Sequence, residues 1–238
     1  LAHTGIGFSQ CGDFAISRWR ADQAREPWGQ FLYLRNTKTG RVWSPTFQPT
    51  CVLPDSYEVI YSIDKADFHR IDGELETLLE VVVSPENQAE SRQLKLTNHS
   101  DETIEIEVTS YLEIALVSQA ADVAHPAFQK LFIETEYIAE EAALLAKRRP
   151  REAKQDPQWA VHVLSTTGEY STVEYETDRA AFIGRNRSLK SPAAFDGDSA
   201  FQGTLGAVLD PILALRTRIA IPAAQSAMIA FSTAFAKT

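Results

Sequence analysis

The sequence predicts an all-β protein built as one large antiparallel β-sandwich. Three observations predict it. Apolar residues recur at every second position in most segments, turn residues punctuate those segments at short intervals, and the longest apolar run fits no helical stripe. That run decides the class. From Ile104 the even positions read Ile104, Ile106, Val108, Ser110, Leu112, Ile114 and Leu116. The odd positions read Glu105, Glu107, Thr109, Tyr111 and Glu113. Successive strand side chains point to opposite faces, so this reads as a strand with one dry and one wet face. It exceeds the usual five or six residues, as strands of large curved sheets do.

The other elements follow in chain order. Residues 31–34 and 41–44 flank a turn at 36–40 and form a hairpin. Residues 57–62 alternate and are rich in Val, Ile and Tyr. Residues 66–71 and 74–83 are joined by Asp72-Gly73, a strong two-residue hairpin cue. Residues 91–97 run through the turn Asn98-His99-Ser100-Asp101 into the long strand. Residues 159–166, 172–176, 212–221 and 226–235 complete the strands. In 212–221, Leu213, Leu215, Thr217, Ile219 and Ile221 alternate with Arg216 and Arg218, and Pro222 ends the run. Residues 139–149 fit two readings. Acids first and bases last suit a helix dipole, while length and neighbours suit a strand. Residues 148–156, charged and containing Pro150, read as an exposed loop. Residues 184–203 form the longest irregular stretch, and loops of that length are often functional. No composition shift divides the chain, so 1–238 reads as a single domain.

Composition excludes several function classes. The 238 residues carry a formal charge of −9. That balance argues against nucleic acid or an anionic membrane as the main partner, since both need a basic face. No apolar run reaches the ~18 residues of a membrane span. Cys11 and Cys51 supply neither a disulfide framework nor a four-ligand zinc site. They read as two thiols, a single bridge being the other reading. The chain starts at Leu1 without a visible signal peptide, its one methionine is Met228, and it reads as a piece of a longer protein. None of the five histidines falls in a metal-ligand spacing, so neither metal nor cofactor is expected. His69 and His162 lie on strands and read as half-buried, whereas His99 and His125 read as exposed. There is no nucleophile elbow, phosphate loop or dinucleotide fingerprint. Glu74, Glu76, Glu80, Glu102, Glu105, Glu107, Glu113, Glu134 and Glu136 mostly fall on the wet side of strands and read as a solvated face. Nothing in their spacing selects a glycosidase pair.

The first segment is the most unusual. Gly5, Gly7 and Ser9 lie in a small, flexible stretch, and Arg18, Trp19, Arg20 and Asp22 follow, with Trp28 and Trp43 beyond. Glycines let a loop approach a ligand closely. Aromatic rings stack on sugar faces, and Arg and Asp hydrogen-bond hydroxyls or anions. These seven residues are the candidate carbohydrate-binding set. The alternative is an edge strand with Trp19 in the core and the arginines paired to sheet carboxylates such as Glu105 or Glu107.

Several of these motifs carry a resemblance. Gly5-Ile6-Gly7-Phe8-Ser9, Ser17-Arg18-Trp19-Arg20-Ala21-Asp22, Trp28-Gly29-Gln30-Phe31-Leu32-Tyr33-Leu34-Arg35 and Val42-Trp43-Ser44-Pro45 occur in order. They are followed by Leu96-Thr97-Asn98-His99-Ser100, Ala124-His125-Pro126-Ala127-Phe128 and Tyr175-Glu176-Thr177-Asp178-Arg179. Together they resemble the amino-terminal sandwich of the cellobiose and chitobiose phosphorylase family, glycoside hydrolase family 94. Within it they look most like the phosphorylase-like region of cyclic β-1,2-glucan synthases. The resemblance implies a super-sandwich of the galactose mutarotase type and favours a strand at 139–149. It implies that catalysis belongs to an (α/α)6 barrel outside this chain, so no catalytic residue carries over. The implied partners are that barrel, β-1,2-glucan and a second copy in a homodimer. The implied parent sits in the bacterial inner membrane, with this domain cytoplasmic. Two other readings stay open, an independent carbohydrate-binding module and a mutarotase-type epimerase.

Overall fold

A computed structural model describes residues 1–21, 27–150, 156–167 and 170–236. The strands are β1 (Gln10–Cys11), β2 (Phe14–Ser17), β3 (Gln30–Asn36), β4 (Val42–Trp43), β5 (Ser56–Tyr61), β6 (Lys65–Asp72), β7 (Leu75–Val83), β8 (Ala89–Asn98) and β9 (Ile104–Ser118). Then come β10 (Ile133–Ile138), β11 (Ala143–Arg148), β12 (Gln158–Thr166), β13 (Glu174–Asp178), β14 (Pro211–Ile221) and β15 (Ser226–Ala236). Three short helices, α1 (Gln119–Ala124), α2 (Pro126–Lys130) and α3 (Arg179–Ile183), sit between strands.

Two antiparallel sheets face each other. One has eight strands in the order β10-β11-β12-β15-β8-β7-β6-β5. The other has seven, built around β9. One edge of β9 pairs with β14, and its other edge is shared by β3 along its first half and β2 along its second. The core between the sheets takes the even residues of β9 (Ile106, Val108, Leu112, Ile114, Leu116) and the odd residues of β14 (Leu213, Leu215, Ile219, Ile221). Phe68, Leu79, Leu94, Leu96 and Phe231 close it from the eight-stranded sheet.

The expected wet face of β9 is dry along most of its length. Glu107, Thr109, Tyr111, Glu113 and Ala115 are all buried, although Glu105 is exposed. The reason is a third layer. The segment from α3 through the 3-10 turn Ala193–Phe195 to Phe201 lies over the outside of the seven-stranded sheet. There Phe182, Ile183, Leu189, Phe195 and Phe201 pack with Phe31, Tyr33, Tyr111, Ile212 and Ala214. The solvated reading of Glu107 and Glu113 is therefore corrected, and Arg216 on the same face of β14 is buried too, its side chain 2% exposed. The irregular stretch at 184–203 is this cover.

At 139–149 a 3-10 turn, Ala139–Glu141, leads into β11. Leu144 and Ala146 enter the core while the backbone pairs with both β10 and β12. Two ladders and core burial outweigh the helix propensity of the segment, which is a weak preference. His162 is fully buried rather than half-buried, at 2% exposure, while His69 is half-buried and His99 and His125 are exposed. Among the described residues, no helix is long and apolar enough to cross a membrane.

Candidate functional site

The first twenty residues carry β1 and β2, which join the seven-stranded sheet along the second half of β9. A turn closes with Ala2 N–H donating to Ile6 O and Gly5 N–H to Ala2 O, both at 2.8 Å. Gly5 has φ +91°, and a Cβ there would lie 2.4 Å from Thr46 Oγ1. Only glycine lets this turn seat against Thr46. Gly7 N–H donates to Trp28 O at 2.9 Å. Ser9 is pinned three ways. Its N–H donates to Ser17 Oγ at 2.8 Å, its hydroxyl donates to Glu90 Oε2 at 2.6 Å, and it accepts from Gln30 Nε2 at 2.9 Å. The Phe8 and Trp19 rings meet at 5.5 Å, with Phe8 exposed and Trp19 half-buried.

Arg18 and its neighbour play different parts. Arg18 follows β2, its N–H donates to Glu113 O at 2.8 Å, and its side chain is 1% exposed. Its guanidinium lies 3.1 Å from Asp122 Oδ1, 3.7 Å from Glu113 and 3.8 Å from Asp210. Arg179 donates to Glu113 at 2.8 Å, and Lys130 pairs with Asp210. Tyr111 donates its hydroxyl to Glu113 at 2.9 Å. Burial, reinforced by the Glu113 carboxylate, holds that phenol well above its usual range, so it stays a donor. Arg20 donates to Asp122 Oδ2 at 2.5 Å and to Asp122 O at 3.1 Å, and its guanidinium lies 5.8 Å from the Trp28 ring.

The arginines thus pair within the chain, but not with Glu105 or Glu107. Their anchor is Asp122 on α1, whose side chain is fully buried. Asp122 carries no motif and gives no sequence signal beyond a carboxylate near a helix start. Glu107 instead serves Arg218 at 3.1 Å, Arg35 at 3.4 Å and Arg216 at 3.5 Å. The structure sets Trp19 against Phe8 and Arg20 over Trp28, while Ser9 turns to Glu90 and Gln30. Gly5 and Gly7 shape the backbone, Arg18 lies in the interior, and Asp22 lies outside the described residues. A groove opens beside Phe8 and Ser9, with Glu90 and Thr233 on its walls and a volume of about 390 Å³.

Among the described residues, no group of three or more His, Cys, Asp or Glu is disposed to hold a metal ion. Cys11 and Cys51 are both free, half-buried thiols. His69 and His99 both hydrogen-bond Glu76 at 2.6 Å, and those bonds, His99 first, hold its carboxyl below the usual range.

Comparison with known proteins places this architecture. The glycosyl hydrolase 94 supersandwich domain matches residues 1–238. The chain belongs to that family. The supersandwich is 35% identical over 235 residues to cyclic β-(1,2)-glucan synthase NdvB of Rhizobium meliloti (strain 1021), covering 98% of this chain. It is 25% identical over 167 residues to solabiose phosphorylase of Paenibacillus borealis, covering 69% of this chain. The chain spans 8% of the first relative's length and 20% of the second's. A bacterial glucoamylase complexed with acarbose shares the fold at a TM-score of 0.51 and 10% identity, over 95% of this chain and 28% of that one.

Proposed function

We propose that this supersandwich is the non-catalytic β-domain of a cyclic β-1,2-glucan synthase. The observation that carries the reading is 35% identity to NdvB along nearly the whole chain. The domain would stand beside an (α/α)6 phosphorylase-type barrel of the same polypeptide and contribute to assembly, including a homodimer. Its amino-terminal segment would touch the glucan. The parent would lie in the bacterial inner membrane with this domain on the cytoplasmic side.

The geometry supports a division of labour within the candidate set. Trp19 and Phe8 offer apolar ring faces, and Arg20 offers fixed donors held over Trp28. Arg18 is a positioning residue, because it holds Asp122 and the end of β9 without reaching the surface. Gly5 and Gly7 set the path of the loop.

Two measurements test the proposal. The chain by itself should release no glucose 1-phosphate from β-1,2-glucan and phosphate, and turnover that scales with its concentration would overturn the non-catalytic role. In the full-length synthase, Trp19→Ala and Arg20→Ala should each slow glucan phosphorolysis about tenfold or more, equal to ~1.4 kcal/mol at the transition state. The melting temperature should hold, because Asp122 keeps Arg18 as a partner. Unchanged kinetics in both variants would remove the amino-terminal segment from the glucan path.

A further inference from the structure

The groove beside Phe8 continues past β8. A second hollow of about 590 Å³ shares Leu1, Phe8, Val83 and Glu90 with the first and extends to Tyr61, Lys65 and Arg92. Each hollow has the ~300–1,000 Å³ of a small-molecule site. Glu90 lines both and Ser9 the first, and this polar pair is braced from the interior. Arg92 Nε donates to Glu90 Oε1 at 2.7 Å, and Arg92 Nη1 donates to Gln30 O at 2.7 Å. The Gln30 side chain bonds Ser9 on one side and Thr233 at 3.3 Å on the other. Thr233 Oγ1 lies 2.9 Å from His162 Nδ1, and Ser110 Oγ lies 2.8 Å from His162 Nε2.

A chain of polar groups through a core is tolerated when each member is satisfied, and it then fixes the rotamers along its length. Here it fixes a hydroxyl and a carboxylate at the floor of an open groove. Sheet stability alone gives no reason for a polar line there, since the flanking core is aliphatic and aromatic.

The lining also selects a ligand class. Both cationic side chains on the walls are already engaged, Lys65 with Asp67 at 3.0 Å and with Glu80, and Arg92 with Glu90. No side-chain cation among the described lining residues is left for an anionic group. Carboxylate lone pairs, the one lone pair left on the Ser9 hydroxyl and the side-chain amides of Asn87 and Gln88 remain for a neutral ligand rich in hydroxyls. Exposed Phe8, Tyr61 and Val83 supply apolar faces above that floor. Polar edges with apolar faces are the surface of a sugar chain.

We propose that this groove is a carbohydrate site of the sandwich itself. It would hold a short β-1,2-linked glucose segment, with Phe8 and Tyr61 against the sugar faces and Glu90 and Ser9 at the hydroxyls. The sugar class comes from the groove, whereas the linkage rests on the functional reading above.

Calorimetric titration of this chain with short linear β-1,2-glucose oligosaccharides tests it, with the β-1,4-linked series alongside. The expected result is saturable binding of the β-1,2 series, weakened about tenfold or more by Phe8→Ala and by Glu90→Gln. Tyr61 is more than half exposed and outside the polar chain, so Tyr61→Ala gives the same readout if Glu90→Gln lowers the melting temperature. Absence of saturable binding to either series, or binding indifferent to all three substitutions, would overturn the site. Equal binding of the β-1,4 series through the same residues would uphold the groove and overturn its β-1,2 assignment, and with it that support for the synthase reading.

Discussion

Replacing Glu107 by alanine should unfold this domain far more readily than replacing Glu105, two positions earlier on the same strand. Glu107 is fully buried and meets Arg35, Arg216 and Arg218 between 3.1 and 3.5 Å. Asp198 completes the balance at Arg35, and Glu174, 3.5 Å from Arg216, completes it there. Three guanidinium groups thus face three carboxylates. Removing Glu107 leaves one excess positive charge where Arg216 is 2% and Arg35 4% exposed. Arg216 cannot swing out, because its guanidinium lies 3.8 Å from the Phe201 ring under the outer layer. Arg218 is one-third exposed on its side chain, so water screens its share. Losing one partner of a buried pair costs about 3–5 kcal/mol. For a domain of this size 1 kcal/mol moves the melting temperature by ~2–4 °C, so the expected drop is roughly 6–20 °C. Glu105 is exposed, and Glu105→Ala should stay within about 0.5 kcal/mol of the parent. Thermal and urea unfolding followed by circular dichroism measure both. If the two variants melt within about 2 °C of each other, the buried-network account of the outer layer is wrong.

Other expectations follow from single residues. Burial, with a smaller contribution from Arg92, pushes the His162 imidazole down to about 3. An unfolded histidine titrates near 6.5, so the unfolded chain binds a proton between those values that the folded chain refuses, and stability falls as pH drops through that window. Between pH 7 and pH 5 the parent should lose about 2 kcal/mol more than His162→Gln in urea titrations, and equal losses would refute the assignment. Gly5→Ala should destabilise by about 1–3 kcal/mol through collision with Thr46 as well as backbone strain. Gly40→Ala, at φ +71° with no heavy atom within 4 Å, should cost less, and the reverse order in melting scans would contradict the seating of the turn. Arg18→Ala should lower the melting temperature more than Arg20→Ala, because Arg18 is the more deeply buried partner of Asp122. Chain denatured without reductant should expose two thiols to a chromogenic disulfide reagent, from Cys11 and Cys51, and none would mean a bridge.

The class, most of the strands and the family are legible in the amino-acid pattern alone. A period of two survives in any sandwich, because strand geometry sends alternate side chains to opposite faces whatever lies beyond them. The even residues of β9 and the odd residues of β14 therefore read directly as core. Asp72-Gly73 marked its hairpin because a tight turn there needs positive φ, which Gly73 adopts at +60°. The brief strands β1 and β2, and β10, left no comparable pattern. What stands opposite each face depends on packing between segments distant in the chain. Alternation cannot distinguish water from a third layer, so Glu105 and Glu107 look alike in sequence while one is exposed and the other is buried beside Arg216, which lies against Phe195 and Phe201. The same holds for Arg18 and Arg20, whose roles divide at Asp122, more than a hundred residues away. It holds too for Ser9 and Glu90, which become one groove floor through a hydrogen-bond chain spanning residues 9 to 233. Local pattern fixes which side a residue points to. Its charge environment and partners are set by contacts distant in sequence, and those exist only after the sheets have closed.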